Sequence, residues 1–199
     1  MALMMVAKWG LPMAGACIGE RYLTSYICET YSVSAASPAL GGVLPRMYGL
    51  VVLGVIYSGF VLIGLGSKVG KARSAAIEKA KKDGDKDAEA RYSYPKIYAE
   101  GFSAEAKLFN CVQRGHQHAL ETYPSFLALS LLGGLSQPVV SFCATMLWCE
   151  ARKKWAEGYA TGEPGNRYSS SKLGFHVWTS LLLQMFCSVA TAITLFTGI

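Results

Sequence analysis

Four long apolar runs limit what this 199-residue chain can fold into. They cover roughly Arg46–Ser67, Leu108–Leu135, Pro138–Tyr159 and Leu173–Thr197. Each holds about 20 or more mostly apolar residues, the length an α-helix needs to cross ~30 Å of hydrocarbon. The first, "MYGLVVLGVIYSGFVLIGLGS", carries no charge, and its glycines stand at 49, 54, 59, 64 and 66. Glycine weakens a helix in water, but between membrane helices small residues permit close backbone approach. Only 16% of the chain is charged, against about 25% in soluble domains. The reading is an all-α integral membrane protein with four crossing helices. The alternative for any one run is a buried helix of a soluble core.

The charges orient such a chain. Ten Lys and Arg lie between 68 and 107: Lys68, Lys71, Arg73, Lys79, Lys81, Lys82, Lys86, Arg91, Lys96 and Lys107. Arg152, Lys153, Lys154, Arg167 and Lys172 fall on the same side of a four-span topology. Lys8, Arg21 and Arg46 fall on the other. Positively charged loops stay on the cytoplasmic side or its organellar equivalent. The basic loops therefore face the cytosol, a matrix or a stroma, in an endoplasmic-reticulum, mitochondrial or other organellar membrane. The net charge of +6 reads as orientation and as affinity for anionic lipid. It does not read as nucleic-acid binding, which needs a folded basic surface with stacking aromatics.

Residues 1–45 read as a separate N-terminal extension, packing on a partner or on the membrane, with 46–199 as the membrane domain and 68–107 as its charged loop. Pro12, Pro38 and Pro45 are expected breakers, and the first stretch is too interrupted for a clear span. No small-residue cleavage site of a signal peptide is evident. Within the loop, Lys, Glu and Ala at 71–91 favour an extension of the first helix, broken at Asp83-Gly84-Asp85. The six cysteines, at 17, 28, 111, 143, 149 and 187, show no paired spacing. They read mostly as small apolar fillers, with no metal site or disulfide framework.

The segment "FNCVQRGHQHALETYP" (109–124) breaks the apolar pattern. On a helix Arg114, His118 and Glu121 fall at i, i+4 and i+7, one face, and His116 sits to one side. In the next run Trp148, Arg152, Trp155 and Tyr159 form a second stripe. Ionisable groups in a membrane helix face the bundle interior or a wet cavity. If the stripes face one another, they build a cationic, aromatic-lined pocket near the basic side. The plainer alternatives are snorkelling for Arg152–Lys154 and a structural ion pair for Arg114 with Glu121.

Together with "GSKVGKAR" (66–73) and "GYATGEPGNR" (158–167), that segment resembles the MAPEG superfamily of membrane glutathione transferases. The branch it is most similar to is the third type of microsomal glutathione transferase. The resemblance covers about residues 46–199. It implies a left-handed four-transmembrane-helix bundle that forms a homotrimer and binds glutathione between neighbours near the cytosolic face. It also implies that Arg73, Arg114, His116 and Glu121 hold the tripeptide, that Tyr159 lines the site, and that Arg167 activates the thiol. Two positions depart from the family pattern: His118 stands where the family has asparagine, and Trp155 where it has tyrosine. Both belong to the expected binding set, with Arg152.

Two functions follow as expectations. The first is a transferase or peroxidase that uses glutathione, without a metal, on lipophilic electrophiles or lipid hydroperoxides. The second is a bundle that has lost catalysis and serves as a structural subunit of a larger organellar membrane complex.

Overall fold

The apolar runs become helices, and the ends of those helices lie where the polar residues put them. The computed structural model describes residues 2–32, 34–36, 42 and 44–198. The long helices are α1 (Ala2–Tyr31), α2 (Tyr48–Lys82), α4 (Ala104–Gly133), α5 (Pro138–Tyr159) and α7 (His176–Thr197). Two short ones, α3 (Ala88–Tyr92) and α6 (Asn166–Ser169), lie in connections, and a 3₁₀ turn at Lys172–Phe175 leads into α7. Among the described residues there is no strand, only a single bridge between Ala36 and Pro45.

Two boundaries have a clear cause. Pro138 opens α5, where the missing N–H costs nothing and the fixed φ suits the helix. Ser67 does not end α2. The helix runs on for another four turns to Lys82, because Ala72, Ala76 and Ala80 give it a small-residue face to bury. Pro12, expected as a breaker, lies inside α1. Pro45 closes the bridge to Ala36, and Pro38 is outside the described residues. Among the described residues, two helices are long and apolar enough to cross a membrane, Tyr48–Lys82 and Lys172–Thr197. On α2 the side chains of Leu53, Ile56, Phe60 and Ile63 are all exposed, an apolar face of the kind that a membrane or a partner covers.

The chain divides into two compact units. One comprises residues 1–58, 124–149 and 176–199. Close approach in it is made at glycines: a Cβ on Gly54 would stand 3.0 Å from Thr145 Cγ2, and one on Gly134 would stand 2.6 Å from Val51 Cγ2. Of the five glycines in the first apolar run, Gly49, Gly59 and Gly64 face open space instead. Inside this unit Gln184 Nε2 donates to the Ser141 carbonyl at 2.8 Å and to Thr145 Oγ1 at 3.0 Å. Phe126 stacks on Trp148 with centroids 4.1 Å apart.

The other unit comprises residues 59–123 and 150–175. Its apolar cluster gathers Val69, Ala76 and Ala80 of α2, Ala88 and Tyr92 of α3, Ala99, and Ala106 and Phe109 of α4. The charged segment is therefore folded back on α2 rather than trailing in solvent. Lys79–Glu105 at 2.5 Å and Lys81–Glu89 at 2.5 Å tie down its rim.

Candidate functional site

The polar residues singled out in the sequence lie in the second unit, and they fall into three groups. The first is a filled core. Arg152 is fully buried, so it does not snorkel. Its Nη1 lies 2.9 Å from His118 Nδ1, and its Nη2 donates to Thr122 Oγ1 at 2.9 Å. His118 packs on the Trp155 ring at 4.5 Å, and Trp155 packs on Tyr159 at 4.7 Å. The two departures from the family pattern, His118 and Trp155, thus touch each other. The stripes of α4 and α5 do face one another, and they close on each other around His118, Arg152 and Trp155. Close packing is helped by Gly115, whose added Cβ would already touch Ala156 at 3.4 Å. Lys153 and Lys154 pair with Glu150 and Glu157, at 2.7 and 2.8 Å.

The second group borders open space. Arg114 Nη1 lies 2.6 Å from Glu121 Oε1, and both side chains are nearly half exposed. Arg114 and Tyr159 line one open cavity of about 440 Å³, together with Lys107, Asn110, Cys111 and Pro164. The Arg167 guanidinium sits over the Tyr159 ring at 5.4 Å and over Tyr168 at 4.8 Å. Its Nη1 donates to the Pro164 carbonyl at 2.5 Å. Arg167 therefore contacts two residues that line the cavity, Tyr159 and Pro164, from behind them rather than lining it itself. Lys107 of that lining pairs with Glu163 at 2.9 Å.

Local backbone explains why Arg167 is held there. A Cβ on Gly158 would stand 2.7 Å from Arg167 Cα, and one on Gly174 would stand 2.6 Å from the Arg167 carbonyl oxygen. Only glycine lets the ends of α5 and of the 3₁₀ turn come so near the Asn166–Arg167 backbone.

The third group is set apart from that cavity. Arg73 is buried and donates to the Tyr92 carbonyl, with its guanidinium over Tyr94 at 4.3 Å and Phe109 at 4.8 Å. His116 lines a smaller cavity of about 240 Å³ with Lys68, Val112 and Glu157. Sequence reasoning missed Thr122, Tyr168 and Lys107. Thr122 and Tyr168 carry no motif of their own, whereas Lys107 falls three and four residues before Asn110 and Cys111 on α4, a spacing that was there to be used.

Chemically, the cavity offers the Arg114 guanidinium and the Lys107 ammonium beside an aromatic wall, with the Arg167 guanidinium over the Tyr159 ring. Two bidentate cations suit a ligand with carboxylates, and a guanidinium beside a thiol favours the thiolate. Among the described residues no three His, Cys, Asp or Glu side chains converge on a metal-sized site. A family model described as the MAPEG family matches residues 51–187. That match takes in every one of these residues and more than half of the chain, which belongs to the MAPEG family.

Proposed function

We propose that this protein is a membrane-embedded glutathione-dependent transferase or peroxidase acting on lipophilic electrophiles or lipid hydroperoxides. Members of the family are glutathione-dependent transferases and peroxidases or their relatives. The observation that carries the reading is one open cavity bordered by Arg114 and Tyr159, with the Arg167 guanidinium over the Tyr159 ring. In this reading Arg114 takes a carboxylate of the tripeptide and Glu121 its ammonium. Tyr159 orients the cysteinyl part. Arg167 favours the thiolate, the form that attacks. An electrophile dissolved in lipid then meets that thiolate at the membrane surface. Four helices cross the bilayer as a left-handed bundle, the basic loops face the cytosol, matrix or stroma, and the chain forms a homotrimer. The branch is that of the third type of microsomal glutathione transferase.

A second reading rests on its own observation. Arg152, Arg114 and Arg73 are each engaged by the chain itself, through His118 and Thr122, Glu121, and Tyr92. A bundle whose cations are internally satisfied suits a structural subunit of a larger membrane complex. Purified chain titrated with glutathione separates the two. The thiolate absorbance should rise on adding glutathione to the wild type and be lost in Arg167→Ala at unchanged melting temperature. No thiolate signal in the wild type removes the enzyme reading. An unchanged signal in Arg167→Ala removes Arg167 from the mechanism.

A further inference from the structure

Two thiols that the candidate site does not use face each other in the first unit. Cys17 of α1 and Cys187 of α7 are both buried, with their Sγ atoms 3.9 Å apart. They are 170 positions apart in sequence, so no local spacing marks them as a pair.

The contact belongs to a seam along both helices. The Trp9 ring meets His176 edge-on at 6.4 Å, and Arg21 donates to Thr194 Oγ1. With Cys17–Cys187 between them, the three contacts run in the same order on both helices, so α1 lies parallel to α7. Met13, Cys17 and Glu20 form the inward row of α1, at i, i+4 and i+7. Glu20 accepts the Val139 and Val140 amides at the start of α5, at 2.6 and 2.8 Å. That anchor fixes the rotation of α1 and so aims Cys17 at Cys187. Gly133 of α4 closes on Cys187, since a Cβ there would stand 2.6 Å from Cys187 Cβ. The thiol has little room to withdraw.

We propose that Cys17 and Cys187 are a redox pair that an organic hydroperoxide converts to a disulfide joining α1 to α7. The sulfurs must close from 3.9 Å to about 2 Å. One sulfur attacks the terminal peroxide oxygen; the O–O bond breaks, the alcohol leaves, and a sulfenic acid forms. The second thiol attacks that sulfur; the S–O bond breaks, the S–S bond forms and water leaves. In sum, two thiols and one hydroperoxide give a disulfide, an alcohol and water. Burial selects the oxidant: a polar one is kept from this contact, and one that partitions into apolar surroundings is not. The pair belongs to the first unit and the lining of the Arg114 cavity to the second, and oxidation of the pair does not depend on the activity proposed there.

The test uses the full chain in detergent, treated with cumene hydroperoxide. The expected result is loss of two of the six thiols, a linked peptide containing Cys17 and Cys187, and recovery of both thiols with dithiothreitol. Cys17→Ala and Cys187→Ala should each form no such linked peptide, and the variant that keeps the attacking sulfur should stop at a sulfenic acid. Should either variant fail to fold, the wild-type linked peptide decides alone. Six thiols left after treatment, a link through Cys28 or another cysteine, or separate sulfinic acids at 17 and 187 would overturn the proposal.

Discussion

Gly158→Ala tests whether the position of Arg167, rather than its charge alone, controls the thiol. The added methyl would stand 2.7 Å from Arg167 Cα and 2.8 Å from its nitrogen, where ordinary contact begins at 3.4 Å. The nearest atom, the Asn166 carbonyl oxygen at 2.4 Å, must therefore retreat by 3.4 − 2.4 = 1.0 Å, and Arg167 Cα by 3.4 − 2.7 = 0.7 Å. Overpacking of this kind costs about 1–3 kcal/mol. A catalytic group misplaced by about 1 Å loses roughly 100-fold, so a shift somewhat smaller than that should lower thiolate-dependent turnover by about 10- to 100-fold. That is about 1.4–2.7 kcal/mol of transition-state stabilisation. The assay pairs thermal unfolding with the ultraviolet thiolate signal at saturating glutathione. Gly70→Ala, a helical glycine with nothing within 4 Å, serves as control and should match or exceed wild-type stability. If Gly158→Ala keeps both its melting temperature and its thiolate signal, the contact is not what holds Arg167. If it melts lower with an intact signal, the position of Arg167 is irrelevant to the thiol.

Two further outcomes follow from buried hydrogen bonds. Glu20→Ala leaves the Val139 and Val140 amides without their carboxylate and should cost about 3 kcal/mol. The readout is faster alkylation of Cys17 as α1 loosens, and Glu20→Gln should restore part of the protection. Arg152→Leu removes the bonds to His118 and Thr122, again at about 3 kcal/mol. Its melting temperature should fall and Trp155 fluorescence should change, whereas a side chain that merely reached to the membrane surface would leave both unchanged.

What could be read in the sequence depended on whether the signal was local. The stretch 138–159 is a helix with those ends, because Pro138 and the Gly158–Tyr159 pair stand at its edges. The face of Arg114 and Glu121 was legible because both sit on one helix, seven residues apart. The role of Thr122 was not, since it depends on Arg152, 30 positions away. His118 and Trp155 could be noticed singly, but their mutual contact exists only after α4 and α5 pack. In α1, Pro12 and the neighbouring glycines argued for a break, and lateral packing on α7 overrode that local preference. The Cys17–Cys187 contact left no trace in the sequence at all.

The parallel lie of α1 along α7 has a consequence for how copies of this chain can associate. One flank of the last helix is already occupied from within, at Trp9, Cys17 and Arg21. Anything approaching from that direction meets the outward row of Leu11, Ile18 and Tyr22 instead. An assembly built through that flank must accommodate this additional rod, or be built elsewhere on the molecule.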